Sequence, residues 1–173
     1  VHNYENVMAA VAIAMHMGVP VECIRKAVAE FKAVEHRIEF VREVGGVKYY
    51  NDSKGTNPDA AIKAVEAMVT PTVVIGGGYD KQSSYEEWIA SFGDKVKCLV
   101  LLGATADKIE ATARKAGFTN IVRVGSLKEA VEASAAQAQS GDAVLLSPAC
   151  ASWDMFKSYE QRGTLFKEYV NQL

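Results

Sequence analysis

From about residue 72 onward the chain alternates short apolar runs with longer stretches whose apolar residues recur at helical spacing. Thr72-Val73-Val74-Ile75, Cys98 to Leu102, Ile121-Val122-Arg123-Val124 and Ala143 to Leu146 read as strands. Their continuous apolar character fits a sheet covered on both faces. Between them the pattern predicts helices over 58–68, from Ser84 to about Phe92, from Thr105 to Ala116 and from Ser126 to about Gln139. Ser84 with Glu87, and Ser126 with Glu129, have the spacing of capping boxes. Gly93, Gly117 and Gly141 follow as stops. A last helix, capped by Ser152 with Asp154 in its first turn, runs to the C-terminus. Strands and helices joined by short connections imply right-handed crossovers and a parallel sheet. The fold class is α/β, an open, mostly parallel, doubly wound sheet.

The first part of the chain has a different rhythm. Residues 3–17 and 20–31 predict a helical hairpin broken at Gly18, with Val21, Ile24, Val28 and Phe31 on one face of the second helix. It is too short to hold a core of its own. A polar connector, Ala33 to Glu39, leads to Phe40–Val44 and Val47–Tyr50 on either side of Gly45-Gly46, a β-hairpin signal. The Tyr49-Tyr50 strand is expected to join the parallel sheet. The start at Val1-His2-Asn3, without Met, reads as a piece of a longer protein.

Composition changes this picture little. The 173 residues are 49% hydrophobic and 23% charged, ordinary for a globular domain. A net charge of −2 offers no electrostatic case for nucleic acid or an anionic membrane. No apolar run reaches the roughly 20 residues of a membrane span. Cys23, Cys98 and Cys150 are widely separated, without disulfide or zinc spacing, and each is expected to be a small buried hydrophobe. The expectation is a monomer in a reducing, cytoplasmic compartment.

In a sheet of this kind ligands lie beyond the carboxyl ends of the strands. Three polar loops fall there, 51–57, 76–84 and 147–154. Asn51-Asp52-Ser53-Lys54-Gly55-Thr56-Asn57-Pro58 carries more polar chemistry than a turn needs. Gly55 permits a positive φ or close ligand approach, Asn57 can cap the next helix, Pro58 suits its first position, and the free N–H groups there would face an anion. Gly76-Gly77-Gly78-Tyr79-Asp80-Lys81 offers a tight turn and a mobile cation but has neither the Walker A nor the G-x-G-x-x-G spacing. Ser147-Pro148-Ala149-Cys150-Ala151-Ser152 is built of small residues that let a ligand approach the main chain, while Trp153 reads as packing. A Ser-His-Asp hydrolase is disfavoured: no G-x-S-x-G elbow is present, and His2, His16 and His36 all precede the sheet.

Four motifs stand in order: His2-Asn3-Tyr4-Glu5-Asn6, His36-Arg37-Ile38-Glu39, Asn51 to Asn57, and Ser147 to Phe156 running into Tyr159-Glu160-Gln161-Arg162-Gly163. Together they resemble the Mur ligases of peptidoglycan synthesis over essentially the whole chain. The D-S-K-x-T-N and S-P-A-x-A-S-x-D-x-F signatures are the selective ones, and the latter resembles the member that adds D-glutamate. The resemblance implies that residues 1–34 are the last helices of a central ATPase domain and that 35–173 form a Rossmann-like C-terminal domain that receives the amino acid. The P-loop and the metal ligands would then lie elsewhere, no residue here would be catalytic, and the chain alone would be inactive. The implied reaction joins D-glutamate to UDP-N-acetylmuramoyl-L-alanine through an acyl phosphate, with ATP and Mg2+ used by the full-length enzyme. Asn3, Asn6, Arg37 and Asp52 are the implied nucleotide contacts, Asp52 on the ribose hydroxyls. Lys54, Thr56, Lys81, Ser152 and Tyr159 are the implied D-glutamate contacts, with Arg162 in support. The family usually has Phe where this chain has Tyr159, a change that a main-chain contact survives. A dianionic amino acid needs strong donors, and these residues supply them. The alternatives are a free-standing, non-catalytic module that binds a small anion or mononucleotide, and a protein-interaction domain that uses the helical hairpin.

Overall fold

The structure, a computed structural model, describes residues 2–31 and 34–173. The chain divides into two compact units, Val1–Val34 and Glu35–Leu173. The first is a pair of helices, α1 (His2–His16) and α2 (Val21–Glu30). Gly18 at φ +77° makes the turn between them, a conformation open to glycine without strain. Of the face expected on α2, Ile24 alone is buried, while Val21, Val28 and Phe31 are exposed. The periodicity is right but most of the face is exposed.

In the second unit β1 (Glu39–Val44) and β2 (Val47–Asn51) form the expected antiparallel hairpin. Both loop residues, Gly45 and Gly46, have positive φ (58° and 81°), the geometry that matches strand twist. The chain then runs through α3 (Pro58–Ala67), β3 (Thr72–Gly76), α4 (Glu86–Ala90), β4 (Val96–Leu101), α5 (Ala106–Lys115), β5 (Ile121–Arg123), α6 (Leu127–Gln137), β6 (Ala143–Leu146) and α7 (Tyr159–Asn171). The strands form one six-stranded sheet in the order β1-β2-β6-β3-β4-β5. All pairings except β1 with β2 are parallel, so the Tyr49-Tyr50 strand does join the sheet, through β6.

Strand alternation divides the core in two. Val74, Leu99, Leu101 and Leu145 point to the face covered by α3, α4 and α5. Val73, Ile75, Val100, Val144 and Leu146 point to the face covered by α6 and α7. The chain leaves β3 on the first face and β6 on the second. These neighbouring strands therefore continue into helices on opposite faces, the position at which a doubly wound sheet holds ligands.

Local expectations needed correction where side chains found better partners. Ser126 does accept the Glu129 N–H, and Glu129 reaches back to the Gly125 N–H. Ser84 does not cap α4: its hydroxyl bonds Glu86, and the helix starts after Tyr85 with no side-chain cap. Ser152 does not cap the last helix. Its carbonyl closes a turn onto Met155 and Phe156, and α7 begins seven residues later behind Ser158. Asp154, expected in that helix's first turn, is diverted to the Ala104 N–H. The overlooked signal was a further capping box, Ser158-x-x-Gln161: Ser158 accepts the Gln161 N–H and Gln161 accepts the Lys157 N–H. Cys98 and Cys150 are buried as expected, but Cys23 is exposed.

Candidate active site

The loop after β2 is built around two buried charges. Asp52, 4% exposed, accepts the Ile38 N–H at 3.2 Å on one oxygen and the Ser147 hydroxyl at 2.8 Å on the other. Burial raises its carboxyl to about 6, against the pull of those two donors and of Arg37 and Arg162. Gly55 is not needed for a positive φ. A Cβ there would come within 2.4 Å of an Asp52 oxygen, so the glycine makes room for the carboxylate. The cap at Asn57 forms as expected, its side chain accepting the Ala60 N–H at 2.9 Å, which takes one of the N–H groups expected to face an anion.

Arg162, on α7, is the second buried charge. Its guanidinium donates to the Ser53 hydroxyl at 3.0 Å, the Ser53 carbonyl at 2.8 Å and the Cys150 carbonyl at 3.2 Å. Ser53 passes the chain on by donating to the Tyr159 carbonyl at 2.7 Å. Desolvation lowers the Arg162 pKa to about 10, still fully charged at neutral pH. One side chain thus fixes the loop after β2, the loop after β6 and the start of α7. Support of the last helix, the role expected for it, understates this reach. The sequence singled out neither Ser53 nor Ser147, although both lie inside quoted motifs.

The segment before β1 is held just as firmly. His36 and Ile38 both have positive φ (62° and 47°), rare for any residue but glycine and rarer for a β-branched one. The His36 N–H donates to Glu39, and the His36 ring accepts from the Asn51 side chain at 2.9 Å. Gly163 of α7 leaves the space for that ring. Arg37, between the two left-handed residues, is exposed. Glu35, His36 and Glu39 could in principle group around a metal, but the Lys167 ammonium already pairs with both carboxylates. A lysine is the cation of that cluster.

At the carboxyl ends of β6 and β3 the other two loops are joined main chain to main chain. Gly77 donates to the Pro148 carbonyl at 2.9 Å, and Tyr79 donates to the Ala151 carbonyl at 2.9 Å in an isolated antiparallel bridge. Ala149 takes φ 57° between these contacts, a strained value for alanine. Gly78 must be glycine, because a Cβ would lie 2.3 Å from the Ala151 carbonyl oxygen. The thiol of Cys150 contacts Tyr85 and Thr105 hydroxyls at 3.1 and 3.3 Å, and Thr105 accepts the Gly78 N–H. Ser152 is buried and Lys81 exposed. Trp153, expected as packing, is 64% exposed, with the Lys81 ammonium 5.1 Å from its ring centre. Lys54 is exposed over the ring of half-buried Tyr159, and Thr56 is half-buried.

The structure thus brings Asp52, Lys54, Thr56, Tyr159 and Arg162 together around one loop, and Lys81 and Ser152 together around another, with Arg162 touching both. Of the other three expected contacts, Arg37 acts on Asp52 through its charge, and Asn3 and Asn6 belong to the first unit. Asn6 is exposed on α1 in the other unit, and the Asn3 side chain lies outside the described residues.

A doubly wound sheet with paired loops at its carboxyl edge is the architecture of α/β ligand-binding domains. The chain belongs to the Mur ligase family: the family described as Mur ligase, glutamate ligase domain, matches residues 36–150. Within it, the chain is 62% identical over 99% of its length to the UDP-N-acetylmuramoylalanine–D-glutamate ligase of Lachnoclostridium phytofermentans and 59% identical to that of Lachnospira eligens. It spans 38% of the length of each of these curated relatives. Among solved structures, UDP-N-acetylmuramate-alanine ligase MurC of Thermotoga maritima shares the fold with a TM-score of 0.72 at 16% identity, covering 99% of this chain and 38% of that one. No helix among the described residues is long and apolar enough to cross a membrane.

Proposed function

We propose that this chain is the amino-acid-receiving part of an ATP-dependent ligase that joins D-glutamate to UDP-N-acetylmuramoyl-L-alanine in peptidoglycan synthesis. The names of relatives 59–62% identical across the chain support the substrates. In this reading Glu35–Leu173 is the Rossmann-like C-terminal domain. Residues 1–34 close a central ATPase domain, whose remainder supplies the P-loop and the ligands of Mg2+. Lys81 takes one carboxylate of D-glutamate, and Ser152 with Tyr159 takes the other. Lys54 and Thr56 line the same pocket. Arg37 and Asp52 reach the nucleotide, and Asn3 and Asn6 its adenine side. The residues present fit ATP: exposed Arg37 offers a cation, and among the described residues each Asp52 oxygen accepts one bond, which leaves a lone pair for a further donor. ATP would supply the phosphoryl group that activates the substrate carboxylate. The chain's own part is to place the amine by its two carboxylates, so positioning rather than a protein nucleophile carries the rate.

The observation that carries the reading is the main-chain bridge between Tyr79 and Ala151, which fixes the loops of Lys81 and Ser152 as a unit. The test is a titration of D-glutamate against L-glutamate on the full-length ligase, with Lys81→Ala as control. Preference for the D isomer and its weakening in Lys81→Ala are expected. Equal affinity for both isomers, unchanged by Lys81→Ala, would remove the assignment.

A further inference from the structure

The two exposed lysines of the proposed pocket share a feature that the reaction does not require. Neither faces a carboxylate among the described residues. The Lys81 ammonium lies 5.1 Å from the Trp153 ring centre, and that of Lys54 lies 5.8 Å from the Tyr159 ring centre. Both distances fall within the roughly 6 Å range of cation–π attraction. The acids beside Lys81 and its ring are engaged elsewhere. Asp80, next to Lys81, pairs with Lys108 at 3.2 Å, which holds its carboxyl below the ordinary value. Asp154, next to Trp153, accepts the Ala104 N–H at 2.9 Å. The indole is braced in turn, with its ring 5.7 Å from that of Tyr79, the residue bridged to Ala151. Tyr159 is fixed through its carbonyl to Ser53, by an edge contact with His36 and by a side-chain hydrogen bond with Glu160, whose carboxylate is thereby engaged with the phenol and with Ser158.

From this arrangement we propose that Trp153 and Tyr159 are positioning residues, aromatic seats that hold Lys81 and Lys54 in place while leaving their charge uncompensated for an incoming dicarboxylate. An ion pair would hold a lysine equally well, but a substrate carboxylate would then have to displace an internal one. An aromatic face orients the ammonium without supplying a competing anion. The inference rests on the amino-acid-site reading, and it makes Trp153, exposed and otherwise unexplained, a residue that tunes substrate affinity.

Two measurements separate the seat from the site. Trp88 is wholly buried, so acrylamide quenching of this chain's tryptophan emission reports on Trp153. Lys81→Met removes the cation above the indole, and both emission and quenching should change; if neither does, the seating is overturned. In the full-length ligase, Trp153→Leu and Tyr159→Leu should each raise the KM for D-glutamate about 2–5-fold, the size of an exposed cation–π contact, with the change falling on KM rather than kcat. Trp153→Phe and Tyr159→Phe should restore KM, because they keep the ring. Leucine variants with wild-type KM, or phenylalanine variants as poor as leucine, overturn the proposal. If Lys81→Met leaves the KM for D-glutamate unchanged, the amino-acid-site reading falls, while the quenching result still decides the seat.

Discussion

Replacing Asp52 with Asn keeps the shape of the side chain and removes its titration. The amide oxygen can still accept the Ile38 N–H, and the amide nitrogen can donate to the Ser147 hydroxyl, which is free to rotate. What changes is the cost of burying a negative charge. The carboxyl rises from 3.8 to about 6 on folding, with burial the largest cause. A rise of that size at about 1.36 kcal/mol per unit corresponds to on the order of 3 kcal/mol. The sign follows from proton uptake. Between the two values the folded state binds more protons than the unfolded one, so the stability is present below pH 4 and is lost as pH climbs through 6. The variant loses none of it. Urea unfolding of both proteins across pH 4–7 gives the difference in unfolding free energy, in which every other titrating group cancels. That difference should move in favour of Asp52→Asn as pH rises, by a few kcal/mol in total, and level off above pH 7. A difference that is flat with pH, or that moves against the variant, would refute the claim that Asp52 is held at a cost. The expected rise makes the carboxylate proposed for the nucleotide one that weakens the fold at the pH where it is used, as functional sites often do.

Three further outcomes test the packing around this loop. Gly163→Ala places a Cβ 2.3 Å from the His36 ring, so the ring must leave its bond to Asn51; a loss of about 1–3 kcal/mol by denaturant unfolding is expected. Arg162→Lys keeps the charge but cannot span the Ser53 and Cys150 carbonyls, so the unfolding free energy should drop by about 1–3 kcal/mol for each carbonyl left unpaired. Ser158→Ala should cost about 1 kcal/mol as the loss of the α7 cap, while Ser152→Ala should leave the helical circular dichroism signal unchanged.

The sheet was legible because its signals are local and redundant. Continuous apolar runs in β3, β4 and β6, the Gly45-Gly46 turn and the helix stops agree with one another, and any one of them could be misread without loss. Strand order was not legible. That β6 inserts between β2 and β3 follows from which helices cover which face, and both faces read as equally apolar. The capping errors share one cause. A Ser or Asp at helix-start spacing bonds whichever N–H the tertiary fold brings nearest: Asp154 found Ala104, fifty residues away, where sequence spacing offered its own helix. The site was legible as residue types in three loops, but its two buried charges were not. Nothing in the spelling of Asn51-Asp52-Ser53 says that the aspartate points inward or that an arginine from α7 grips the serine.

That hidden arginine alters what the three loops can be to one another. Lys81 and Ser152 are coupled by a main-chain bridge, and Lys54 and Thr56 belong to a different loop on the far side of β6. Separate loops on separate strands would drift independently, because loops are the least restrained parts of an α/β domain. Arg162 removes that freedom by bonding Ser53 of one loop and Cys150 of the other. A guanidinium suits the task, since a planar fork reaches several acceptors with a single buried charge. The geometry of a ligand held between Lys54 and Lys81 would then be set less by the lysines themselves, which are exposed, than by an arginine buried behind both loops.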